Sequence, residues 1–290
     1  MPDSRLHACR ADLADARLRG VVAAARYVDG RPAWVIAGLA PVRHSPAPEA
    51  ALDTVYHYGE PVLIFDEAGE YAWCQSLLDG YVGYTLARHL IVGKPPSPTR
   101  FVASMGAYRY ETPDLRAAPI DFLPRHSGVT IAETGLVTRG TEYARLDRGG
   151  FLPLSCLSPT PPRSRDLAVA ASLYIGCPYL WGGRSFLGVD CSGLVQQGFR
   201  DLGVAVPRDT DMQQTTIGVP IAVRRHSDFR RGDLIYLPGH VMIHAGGGAV
   251  IHADGASMTV RRDRLAGLMR ARRLDFGQFT VRRYMPNSAV

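Results

Sequence analysis

The segment Val189-Asp190-Cys191-Ser192-Gly193-Leu194-Val195 constrains this chain more than any other. It sets a cysteine directly after an aspartate, at the mouth of a predicted helix. Asp190 suits the N-cap, because its carboxylate can accept from an unpaired amide of the first turn. Leu194, Val195, Phe199 and Leu202 recur at helical spacing, and Gly203 suits the C-terminal stop. A thiol at this position sits in the positive end of the helix dipole, which favours thiolate. The amides of the first turn can also donate to an oxyanion. For an isolated cysteine, burial in a core is the commoner outcome. Cys191 is not isolated.

Downstream, Gly232-Asp233-Leu234-Ile235-Tyr236-Leu237 opens an apolar run. Gly239-His240-Val241-Met242-Ile243-His244, Gly246-Gly247-Gly248 and Val250-Ile251-His252-Ala253 follow. Two β-rich runs separated by glycines predict a hairpin. Reversal about Gly246 would set His240 opposite His252 on one face. A thiol needs a base to take its proton, and the imidazole needs a third group to orient it, so Cys191, His240 and His252 are chemically sufficient for nucleophilic catalysis. His244 shares a strand face with His240 and is the alternative base.

This constellation resembles the NlpC-type family of bacterial cell-wall cysteine peptidases, which have a papain-like fold. The resemblance rests on Pro178-Tyr179-Leu180-Trp181-Gly182-Gly183, the segment around Cys191, Pro207-Arg208-Asp209-Thr210, Gly232-Asp233-Leu234-Ile235, Gly239-His240-Val241 and Ile251-His252-Ala253. These stretches fall in family order and cover about residues 164–285. The resemblance implies Cys191 as nucleophile, His240 as base and His252 as its orienting partner.

Composition narrows the remaining possibilities. No run reaches the roughly 20 apolar residues of a membrane span. Met1-Pro2-Asp3-Ser4-Arg5-Leu6-His7-Ala8-Cys9-Arg10 has no apolar core of the secretory type. The five cysteines, Cys9, Cys74, Cys156, Cys177 and Cys191, are scattered without metal-ligand spacing. Free thiols in a reducing compartment are the simplest account, and the expected location is the cytoplasm. Cys177 is assigned to packing. The net charge of +6 comes with arginine pairs such as Arg224-Arg225, Arg261-Arg262 and Arg272-Arg273. They lack interleaved aromatics, so they read as solvated surface rather than a nucleic-acid footprint. No cofactor, metal, nucleic acid or membrane partner is expected.

The proline-rich stretches Gly93-Lys94-Pro95-Pro96-Ser97-Pro98 and Ser158-Pro159-Thr160-Pro161-Pro162 predict boundaries. Between them and before them, short strands and turns predict small β-barrels. The expected fold class is α+β: a papain-like NlpC-type catalytic domain over 164–290, preceded by barrels over 39–92 and 100–157. Residues 1–38 form an N-terminal segment with a helical pattern over Ala11–Tyr27. The first barrel resembles bacterial Src-homology-3-like domains through Tyr58-Gly59-Glu60 and Asp79-Gly80-Tyr81-Val82-Gly83-Tyr84.

Two such barrels ahead of this catalytic domain resemble the intracellular γ-D-glutamyl–diamino-acid endopeptidases. The resemblance implies a peptidoglycan-derived peptide substrate of the L-Ala-γ-D-Glu-diaminopimelate type with a free N-terminal L-Ala. A bound ammonium needs an anionic subsite, for which the resemblance offers Asp190 and Glu60, walled by Tyr81. Ser192, Asp209 and Thr210 are further substrate-binding candidates. Glu60 equally suits a solvated turn, Tyr81 a barrel surface, and Asp209 with Thr210 a helix cap over Met212-Gln213-Gln214. An amidase or acyltransferase with the same triad, or a silent wall-binding module, are the alternative functions.

Overall fold

The computed structural model describes residues 2–285, in two compact units that divide between Pro162 and Arg163. No helix among the described residues is long and apolar enough to cross a membrane.

In the N-terminal unit the predicted Ala11–Tyr27 helix is replaced by extended chain. Strands Leu13–Asp15 and Arg26–Val28 pair in parallel around a single 3₁₀ turn at Ala16–Leu18. Tertiary packing overrides the helical pattern. Ala8 and Leu13 are buried against Phe65, Trp73, Val82 and Tyr84, and the Arg10 guanidinium lies 4.3 Å from the Trp73 ring centre. The first β-region also begins earlier than expected, because Arg31–Val35 is an internal strand of its sheet, flanked by Pro61–Ala68 and Leu90–Val92.

That sheet has seven antiparallel strands, in the order Leu52–His57, Leu39–Arg43, Val82–Leu86, Tyr71–Ser76, Pro61–Ala68, Arg31–Val35, Leu90–Val92. Its core holds Val35, Val42, Tyr56, Val62, Ile64 and Cys74. Residues 100–158 form a five-stranded and a three-stranded antiparallel sheet. Their core, with Val102, Leu123, Leu146 and Leu152, also takes in Trp34 and Tyr58 of the first β-region. The two β-regions are therefore one body. Asp121 strengthens the junction by accepting from the Gly38 amide at 2.8 Å.

The C-terminal unit is built on a six-stranded antiparallel sheet. Its order is Val219–Ile221, Thr280–Arg283, Leu234–Leu237, His240–Gly246, Ala249–Asp254, Thr259–Arg264. The central strands are buried on both faces, which explains their nearly unbroken apolar run. Period-two alternation sends Ile235, Met242, Val250 and Val281 into one cluster with Leu265 and Met269 of helix α4 (Leu265–Arg272). Helices α1 (Leu167–Ser172) and α2 (Cys191–Leu202) pack on strands His240–Gly246 and Ala249–Asp254. A short helix α3 (Thr210–Thr216) follows α2.

Asp233, fully buried beside Leu234, anchors the central strands. It accepts from Arg283 Nε at 2.6 Å and Nη2 at 2.7 Å, and from the Arg230 amide at 2.7 Å. Removing one partner of such a pair strands the other charge in low dielectric. Asp233→Ala is expected to destabilise this unit by about 3 kcal/mol or more in urea unfolding, with the far-ultraviolet signal of the native protein retained at low urea.

Candidate active site

Helix α2 starts where the sequence predicts. Asp190 is its N-cap, accepting from the Gly193 amide at 2.7 Å, and Gly203 ends it in the left-handed conformation at φ 80°. Asp190 does far more than cap. Its carboxylate also accepts from the Gly182 amide at 2.8 Å and the Ser192 hydroxyl at 3.2 Å. Arg208 adds a two-pronged ion pair, Nη1 to Oδ1 at 3.0 Å and Nη2 to Oδ2 at 2.5 Å, and Nη1 also reaches Ser192 Oγ at 2.7 Å. Arg208 is only 1% exposed. Asp190 is thus electrically matched inside the protein, which departs from the expected role of a carboxylate standing ready for a ligand's ammonium. Ser192 is likewise engaged between Asp190 and Arg208.

Cys191 is buried, with Sγ 3.9 Å from Thr210 Oγ1. The backbone of Ser192 and Val241 also hydrogen-bonds to the thiol in a way that favours its ionised form. Contact with Val241 brings the start of strand His240–Gly246 to Cys191. Burial and then the Asp190 charge nevertheless push the Cys191 pKa upward. The dipole-favoured resting thiolate expected from the sequence is therefore outweighed by desolvation.

The two histidines meet, but by a different register from the expected one. Ile243 pairs with Ile251 and His244 with Val250, and a bulge follows before Gly246 pairs with Ala249. Gly246, Gly247 and Gly248 all have positive φ, which only glycine adopts freely, and they carry the extra turn residue. His240 and His252 are consequently diagonal neighbours, with His240 Nε2 and His252 Nδ1 3.0 Å apart. Beyond them, His252 Nε2 lies 3.1 Å from Asp263 Oδ2. Burial, and then the neighbouring His252, lowers the His240 pKa to about 4, and burial likewise lowers that of His252.

His244 is a core residue. Its ring stacks on Phe229 at 5.5 Å and its Nδ1 lies 2.9 Å from the Arg230 carbonyl. Cys177 is also buried, with its thiol 2.9 Å from the Phe186 carbonyl and its pKa pushed up to about 12 by burial. Asp209 occupies the N-cap position of α3 without a side-chain cap bond. Glu60 and Tyr81 lie in the N-terminal unit. Both are buried, and Glu60 Oε1 is 3.9 Å from His57 Nδ1, so neither is the solvated turn acid or barrel-surface ring that the sequence also allowed. Sequence reasoning missed Arg208 and Asp263. Arg208 stood inside the quoted Pro-Arg-Asp-Thr motif, whereas Asp263 was hidden in an arginine-rich run.

Arg208→Ala is expected to cost about 3–5 kcal/mol, because it leaves the Asp190 carboxylate buried and unneutralised. Chemical unfolding of the full-length protein measures this, and a loss below about 1 kcal/mol would show that water or a proton compensates Asp190.

Both units match known families. Residues 176–275 match the NlpC/P60 family and residues 42–90 match the bacterial dipeptidyl-peptidase Sh3 domain. A gamma-D-glutamyl-L-lysine dipeptidyl-peptidase from Bacillus cereus is 27% identical over 237 residues, covering 72% of this chain and 69% of that protein. Its namesake from Bacillus subtilis is 26% identical over 231 residues, covering 72% and 74%. The crystal structure of an NlpC/P60 family protein from Bacillus cereus superposes with a TM-score of 0.69 at 19% identity, over 88% of this chain and 100% of that one, a likeness of fold. Residues 176–275 are thus an NlpC/P60 domain and residues 42–90 a bacterial SH3 domain, and the protein is a cysteine peptidase.

Proposed function

We propose that this peptidase hydrolyses the γ-D-Glu–diamino-acid bond of peptidoglycan stem peptides that carry a free N-terminal L-Ala, and that it acts in cytoplasmic recycling of wall peptides. The observation that carries the reading is the 3.0 Å contact of His240 with His252 on the strand whose Val241 amide meets Cys191. The names of the two Bacillus relatives support the bond type. All five cysteines are free, which suits a reducing compartment.

In this reading the resting pair is a neutral thiol and a neutral imidazole. His240 takes the Cys191 proton as the sulfur attacks the γ-carbonyl carbon of D-Glu. Backbone amides beside Cys191 hold the oxyanion. His240 then returns the proton to the leaving amine, and water hydrolyses the thioester. Thr210, beside the sulfur, contributes to the substrate-side wall together with Asp209.

The N-terminal unit supplies selectivity in this proposal. Residues 100–158 act as a second SH3-like barrel. Both β-regions end in the same strand, 3₁₀ turn and strand, at Val82–Leu86, Ala87–His89, Leu90–Val92 and at Phe151–Pro153, Leu154–Cys156, Leu157–Ser158. Glu60 and Tyr81 of the first region are the residues assigned to recognition of the ammonium, Glu60 bringing the negative charge.

Cys191→Ala should abolish release of the diamino acid from L-Ala-γ-D-Glu-diaminopimelate, followed by mass spectrometry, while Cys177→Ala retains activity. Full activity in the Cys191 variant would end the nucleophile assignment. N-acetylation of the alanine removes a charge and adds bulk, so kcat/KM should fall by about 30-fold or more, roughly 2–5 kcal/mol. Equal rates on the free and acetylated tripeptides would exclude a closed ammonium subsite.

A further inference from the structure

We propose that Asp263 is a positioning residue that sets the direction of the protons in the two-imidazole chain, so that the bare nitrogen is the one left for Cys191. The inference rests on the nucleophilic reading above and deepens it.

An ionised carboxylate only accepts hydrogen bonds. Asp263 is held ionised by Arg261, whose Nε is 2.6 Å from Oδ2 and whose Nη2 donates to Oδ1 at 2.8 Å. Burial alone would raise the Asp263 pKa, but the hydrogen bonds from Arg261 and His252 outweigh it and lower the value. His252 Nε2, 3.1 Å from Oδ2, must therefore carry the hydrogen. In a neutral His252 this leaves Nδ1 bare, as an acceptor. His240 Nε2, 3.0 Å from that nitrogen, must then be its donor. A neutral His240 protonated on Nε2 has its lone pair on Nδ1, and that is the base.

Without the carboxylate the chain runs equally well in reverse. His252 Nδ1–H would then donate to His240 Nε2, and His240 would carry its proton on Nδ1, unable to accept the thiol hydrogen. One acceptor at the far end thus decides whether the near end is a base. The sheet places it there. His252 pairs with Arg261 and Val250 with Asp263, so Arg261 and Asp263 share the face of His252. The other charged groups around the rings are Asp254, at the end of strand Ala249–Asp254, and Arg272, at the end of α4. They satisfy each other at 2.7 Å, and Asp254 also accepts from the Ser257 amide.

Asp263→Leu tests the idea at similar volume. Leucine offers no acceptor, so nothing then holds the hydrogen on His252 Nε2 and the chain loses its fixed direction. Long-range ¹H–¹⁵N spectra of the histidine-labelled full-length protein report which ring nitrogen is protonated. Both His240 and His252 should carry hydrogen on Nε2 in the unmodified protein, and His240 should populate Nδ1–H in Asp263→Leu. In the same variant kcat should fall by about 100-fold or more with KM little changed, since the wrong tautomer removes the base and not the substrate contacts. The pH profile of Cys191 alkylation should lose its dependence on His240. An unaltered His240 tautomer in Asp263→Leu, or a hydrogen on His252 Nδ1 in the unmodified protein, overturns the proposal. Should Asp263→Leu not fold, the spectrum of the unmodified protein decides alone. These spectra need no substrate, so failure to cleave the tripeptide would count against the proposed function and not against the proton direction.

Discussion

The buried Asp190–Arg208 pair is the constraint on which the active site depends. One carboxylate gathers the first turn of α2 through Gly193 and Ser192, the loop before it through Gly182, and the segment leading to α3 through Arg208. Gln213 repeats the last connection, because its side-chain amide donates to the Ser192 carbonyl at 3.0 Å and the Pro207 carbonyl at 2.8 Å. Cys191 sits at the centre of that knot with Thr210 against its sulfur. Exchange of either charge for an apolar group would release three chain segments at once. Arginine suits this place better than lysine, since its fork reaches both carboxylate oxygens and the serine hydroxyl.

The same knot has an electrostatic consequence. Asp190 stands next to Cys191 and its charge opposes thiolate formation. Arg208 offsets that charge at the range where it matters, while the Ser192 and Val241 amides pull the other way. Burial then keeps Cys191 and His240 neutral. In the proposed mechanism a neutral, buried pair transfers its proton once a carbonyl carbon meets the sulfur and donors meet the developing oxyanion. The site therefore uses preorganised dipoles rather than a stored charge.

The legible parts of the chain were those fixed by local rules. Asp190 as cap, Gly203 as stop and the nearness of the two histidines follow from capping preference, left-handed glycine and strand alternation. What failed depends on distant contacts. The Ala11–Tyr27 segment has a helical pattern, but Leu13 is taken by a pocket around Trp73, and extended chain reaches it. The hairpin register slipped because the three glycines allow more than one turn, and the counting of residues cannot say which. Buried Arg208 was invisible for a related reason: a charge inside a protein is worth its cost only if its partners are near, and those partners are 16 and 18 residues away.

The arginine-rich run Arg261-Arg262-Asp263-Arg264 shows how one short strand serves two physical needs. It is the edge strand of the sheet, where unpaired backbone groups invite association, and outward charge suppresses that. Arg262 and Arg264 lie on the opposite face from Arg261 and Asp263. Read as surface, all four residues look alike. Alternation divides them, and only the face carrying Arg261 and Asp263 meets His252. An acidic residue is useful there because Arg261 beside it keeps it ionised. Charge that protects the edge thus also holds the acceptor of the histidine chain in its one useful state.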